Sequence, residues 1–84
     1  MHEKRGATRR RALKIGRIVF DRGESEVDCV VRDISGNGMR LLVDGASPAL
    51  PDQFLVTVEA PTGRQSWACR VVRRAPSELG VAFE

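Results

Sequence analysis

At 84 residues, 42% hydrophobic and 30% charged, the chain has material for one domain with a single small core, which argues against a deep enzyme cleft between lobes. No run approaches the length of a membrane span, and the basic N-terminus has no apolar stretch behind it, so neither a span nor a secretory signal is expected and the expected location is the cytoplasm. The net charge of +3 is concentrated in residues 1–14, where six basic groups face one acid, while residues 15–84 hold eight basic against ten acidic groups. Such an arm suits a polyanionic partner or serves only as a solvated tail.

Taken in chain order, residues 1–12 form a basic arm and residues 13–84 a domain built on alternation. The first segment, Leu13 to Asp21, is strand-like through Ile18, Val19 and Phe20, with an ambiguous inner face. From Ser25 to Ile34, Val27, Cys29 and Val31 share one face while Glu26, Asp28 and Arg32 share the other, the period-two pattern of a half-buried strand. The same sorting sets Met39, Leu41 and Val43 against Arg40, and Phe54, Val56 and Val58 against Thr57 and Glu59. It recurs with Trp67, Cys69 and Val71 against Arg70, and with Leu79, Val81 and Phe83 against Gly80 and Ala82. Turn-forming residues separate these runs: Asp21-Arg22-Gly23, Ser35-Gly36-Asn37-Gly38, Gly45 to Pro51, Pro61-Thr62-Gly63 and Ala75-Pro76-Ser77. Six such strands predict an all-β, six-stranded antiparallel sheet that closes into a barrel and so removes its unpaired edges. The segment Ala46 to Leu50 admits a short helical piece, and no long C-terminal helix is expected after the last strand.

Two cysteines, Cys29 and Cys69, and a lone His2 do not make a structural zinc site or a catalytic pair, so no metal, cofactor or enzymatic activity is expected. Both cysteines sit in apolar strand contexts, as inert reduced thiols do. Four apolar residues fall on the outward face: Val30, Leu42, Leu55 and Val72. Scattered, they are ordinary surface; contiguous, they would serve self-association or a partner protein.

The hexapeptide Asp33-Ile34-Ser35-Gly36-Asn37-Gly38, with Arg9-Arg10-Arg11-Ala12-Leu13-Lys14 about twenty positions upstream, resembles the ligand-binding signature of the PilZ domain family. The resemblance extends from Arg9 to Phe83 and includes Cys-Val-Val-Arg-Asp-Ile-Ser at 29–35 and the closing Gly80-Val81-Ala82-Phe83. It implies a six-stranded β-barrel that senses cyclic di-GMP, with Arg9, Arg10, Arg11, Lys14, Asp33, Ser35 and Gly38 as the ligand-binding set. Output would then pass through an unidentified partner protein or a homo-oligomer.

The residue types suit that ligand. A guanidinium bonds bidentately to guanine O6 and N7 or to phosphate, the task assigned to Arg10, with Arg9 and Arg11 beside it. Asp33 would accept from guanine N1 and N2, Ser35 offers a hydroxyl, and Gly38 allows close backbone approach. Lys14 stands where the family's Arg-x-x-x-Arg pattern has its second arginine, and an ammonium lacks the planar fork. Losing one bidentate guanine contact would weaken binding roughly five- to a hundredfold.

Three other readings compete. The hexapeptide also satisfies what a tight turn alone requires. A degenerate module of the same fold would work by protein contact without nucleotide. A nucleic-acid-binding barrel is disfavoured, because of Phe20, Phe54, Trp67 and Phe83 three lie on the inferred inner face and cannot stack on bases.

Overall fold

The computed structural model describes residues 10–43 and 50–84, with side chains from residue 14 onward. The N-terminal arm through residue 9, and the helical piece expected at Ala46 to Leu50 apart from Leu50 itself, lie outside these residues. The described chain forms six strands: β1 (Arg10–Phe20), β2 (Ser25–Ile34), β3 (Gly38–Leu42), β4 (Gln53–Ala60), β5 (Gly63–Ala75) and β6 (Glu78–Phe83). They close in the order β1-β2-β3-β6-β5-β4, every neighbouring pair antiparallel, with β4 pairing back onto β1. The all-β barrel expected from alternation is therefore the observed fold.

Alternation locates the core because a closed sheet has one dry side and one wet side. Cys29, Val31, Met39, Leu41, Val56, Val58, Cys69 and Val81 are all buried, joined by Ile18, Phe54 and Leu79. Val27 and Val71, expected inside, are half-buried and pack at the margin of this cluster. Val43 and Leu50, on either side of the undescribed segment, are buried as well. The rings of Trp67 and Phe83 stack at 6.1 Å with an interplanar angle of 18°, which covers one margin of the core.

In β1 the inward positions are Gly16 and Ile18, and Ile15 points outward at 72% exposure. A Cβ on Gly16 would meet the Thr57 carbonyl oxygen at 3.0 Å, so β1 and β4 approach closely there and would have to give by a few tenths of an ångström to take a side chain. β1 also starts three residues before its alternation becomes visible: Arg10 and Arg11 pair with Ile34 and Asp33. They do so beyond a register shift between Arg11 and Lys14.

Two further shifts occur, between Val31 and Asp33 on β2 and between Val71 and Arg73 on β5. Each of these inserts one extra residue, Arg32 or Val72, and so re-aims the side chains that follow. All three irregularities adjoin the Asp33–Gly38 turn or the groove beside it.

Candidate functional site

The turn between β2 and β3 is held by its own polar groups. The Ser35 amide donates to the Gly38 carbonyl at 2.9 Å, and the Asn37 amide donates to Ser35 Oγ at 3.2 Å. The Ser35 hydroxyl in turn reaches the Gly38 carbonyl at 3.4 Å. A serine at this place therefore satisfies the turn before any ligand arrives. The turn is tied to the far side of the barrel seam by the Phe83 amide, which donates to the Asn37 carbonyl at 2.9 Å.

Gly38 serves a close strand approach. A Cβ built there would collide with the Val81 carbonyl oxygen and stand 3.1 Å from Ala82 Cα. A Cβ on Gly36, by contrast, would have nothing within 4 Å. Neither glycine has a left-handed φ, so packing against β6, rather than turn conformation, distinguishes the two.

Asp33 closes one wall. Its side chain is only 14% exposed, and Arg40 Nε lies 3.5 Å from Asp33 Oδ2 and 3.2 Å from Glu78 Oε2. Arg32 Nη1 reaches Glu78 Oε1 at 3.9 Å, which extends the pairing into a four-residue chain of alternating charge. Partly exposed pairs of this kind contribute little to stability, about 0–1 kcal/mol each, so the main effect is to orient the Asp33 carboxylate.

An open groove of about 570 Å³ runs from this wall to β5, lined among others by Asp33, Ser35, Gly38, Arg40, Arg73 and Gly80. Arg73 is exposed and, among the described residues, has no ion-pair or side-chain hydrogen-bond partner.

The structure brings together part of the set expected from sequence. Asp33, Ser35 and Gly38 line one groove, and the backbones of Arg10 and Arg11 pair with Ile34 and Asp33 at its edge. Arg9 lies outside the described residues. Lys14 pairs with Val31, and its exposed side chain lines a separate groove over β1 and β4, with Ile15 and Glu59. Arg40 and Arg73 were not anticipated, and Gly80, noted only in the closing Gly80-Val81-Ala82-Phe83, was not expected to line the groove. Their link to Asp33 runs across strand registers, which leave no mark in sequence spacing.

The two thiols lie in the core and take no part in the groove. Burial, with the charge of Asp28 and the proximity of Cys69 adding to it, pushes Cys29 up to about 12. Burial and the charge of Glu84 push Cys69 up to about 11. Both are therefore protonated and poorly nucleophilic near neutral pH. Among the described residues, no group of three or more His, Cys, Asp and Glu side chains is placed to hold a metal ion.

Comparison with known families adds one result. The model of the family described as PilZ domain matches residues 3–84. No curated protein matches the chain.

Proposed function

We propose that this chain, which belongs to the PilZ domain family, binds cyclic di-GMP at the Asp33–Gly38 turn and signals through a partner protein. The family is one of cyclic di-GMP-binding effector modules. The observation that carries the reading is the register that sets the arginine run beside the turn. Arg11 pairs with Asp33 and Arg10 with Ile34, so the backbone at the end of the arginine run lies beside the strand that carries the groove's carboxylate.

Each group then has a task. Arg10, with Arg9 and Arg11 beside it, supplies planar donors for guanine O6 and N7 or for phosphate. Asp33, oriented by Arg40, accepts from guanine N1 and N2. Ser35 and Gly38 hold the turn against β6 so that the carboxylate keeps its place.

Calorimetric titration with cyclic di-GMP tests the reading. Saturable heat is expected for the native chain, with affinity lowered at least roughly fivefold in Arg10→Ala and in Asp33→Ala. Absence of heat for the native chain and for Lys14→Arg alike would refute it. Lys14→Arg also measures what position 14 contributes. Tightening would show that a guanidinium there reaches the ligand; unchanged affinity would remove the position from the set, consistent with its place over β1 and β4.

A further inference from the structure

The outer wall of the barrel carries an apolar strip. Directly opposed residues of antiparallel neighbours share a face. Ile15 on β1 opposes Val30 on β2, and Val30 opposes Leu42 on β3, while Cys29 and Val31 on either side of Val30 are buried in the core. Ile15 is 72% exposed, and Val30 and Leu42 are half-buried. Single apolar side chains on a surface are ordinary, but three on adjacent strands make one continuous strip that gains by being covered.

The charges along β2 indicate what covers it. Asp28, two residues before Val30, has a side chain 87% exposed, and Arg32, two residues after it, has one 42% exposed. β2 thus reads acid, apolar, base along its outer face. Both charges are loosely held at home. Asp28 Oδ1 lies 3.5 Å from Arg17 Nε, but Arg17 has a closer carboxylate in Glu26, at 3.1 Å. Arg32 Nη1 lies 3.9 Å from Glu78 Oε1, but Glu78 has a closer cation in Arg40, at 3.2 Å. Asp28 and Arg32 can therefore turn to another surface at little cost and leave their former neighbours paired.

An acid and a base equally spaced about an apolar centre complement the same strip turned end for end, and a contact between identical patches requires that self-complementarity. We infer that this strip is the contact of a homodimer, in which β2 lies antiparallel over β2 of a second copy, about a two-fold axis passing through Val30. Val30, Ile15 and Leu42 each meet their counterpart, and Asp28 of each copy faces Arg32 of the other. Face-to-face sheets stand about 10 Å apart, a gap that an aspartate and an arginine side chain together span. Glu78, next in the row beyond Leu42, keeps its pairing with Arg40, and the curvature of the closed wall carries it away from the second copy. The inference does not depend on the cyclic di-GMP reading.

The test is sedimentation equilibrium of the full chain without ligand, with Ile15→Glu, Asp28→Arg, Arg32→Asp and an equimolar mixture of the last two. A strip three strands wide makes a small interface, so dimerisation of the native chain is expected between about 10 μM and 1 mM. Reversing either charge turns two attractive pairs into two repulsive ones and is expected to weaken dimerisation roughly tenfold, as is Ile15→Glu, which sets two carboxylates against each other. The mixture is expected to recover the native dimer fraction, because one copy then carries two bases and the other two acids. Thermal melts near the native midpoint show that these exposed substitutions leave the fold intact. A native chain that stays monomeric throughout would overturn the inference. A dimer that all three variants retain would place the contact on another face, and single variants that weaken without recovery on mixing would overturn the pairing of Asp28 with Arg32.

Discussion

Replacing Gly38 with alanine sets the architecture of the turn against a purely conformational account of its glycines. The new Cβ would overlap the Val81 carbonyl oxygen and crowd the Val81 carbonyl carbon at 3.0 Å. β3 and β6 must therefore part along the ladder that joins them in the barrel wall. Two hydrogen bonds are at stake, Ser35 amide to Gly38 carbonyl and Phe83 amide to Asn37 carbonyl, both 2.9 Å. Their loss would cost about 1–3 kcal/mol, and forced displacement in a packed wall adds about 1–3 kcal/mol more. A domain of this size has only about 4–13 kcal/mol in total, so the expected loss of at least about 2 kcal/mol is a large share. It corresponds to a fall in melting temperature of about 8–16 °C. Gly36→Ala is the matched control: its Cβ meets nothing within 4 Å, and restricting the unfolded chain should stabilise by about 0.4–1 kcal/mol. Thermal and urea unfolding can be followed through Trp67, the single tryptophan, whose ring stacks on Phe83 in β6. A loss below about 0.5 kcal/mol for Gly38→Ala, or equal losses for both variants, would refute the steric reasoning.

The thiols give a pH prediction. Their folded values of about 12 and 11 lie above the ordinary 9.0, so the folded state retains protons that the unfolded chain releases, and stability is present below pH 9 and lost as pH rises through 11. By pH 10 the expected loss is roughly 1 kcal/mol per thiol, measured as the difference in urea stability between the native chain and Cys29→Ala/Cys69→Ala; parallel pH curves would contradict it. The turn between β1 and β2 gives a stability prediction, because Asp21 and Arg22 both have left-handed φ, 58° and 57°. Arg22→Gly relieves the less tolerant of the two and should stabilise by roughly 1 kcal/mol in urea melts, and a destabilisation would show that the Arg22 side chain contributes more than its backbone strain removes.

The barrel was legible in the sequence because each long strand has one wall in the core, and the triplets Val27/Cys29/Val31 and Phe54/Val56/Val58 carry that division openly. β1 was less legible for a physical reason. Its inward position 16 is a glycine, which bears no apolar mark, while Ile15 on the outside does. Asp33, Ser35 and Gly38 were visible as a motif because the turn that joins them is local. Arg40, Gly80 and Arg73 were not, since a bulge is an extra residue without compositional signature, and the row they form with Asp33 exists only once Arg32 and Val72 have shifted the registers. The outward apolar residues were visible one strand at a time, and the register adds that Val30 opposes both Leu42 and Ile15, which makes a contiguous row across β3, β2 and β1.

The most direct measurement of ligand binding at the turn is an amide chemical-shift titration of the isotope-labelled chain with cyclic di-GMP. Saturable shifts concentrated at Asp33 to Gly38, with Arg11, Arg73 and Gly80 moving on the same binding curve, are the predicted result. Amides that stay fixed with ligand in excess, or shifts confined to the groove over β1 and β4 around Ile15 and Leu55, would contradict the account.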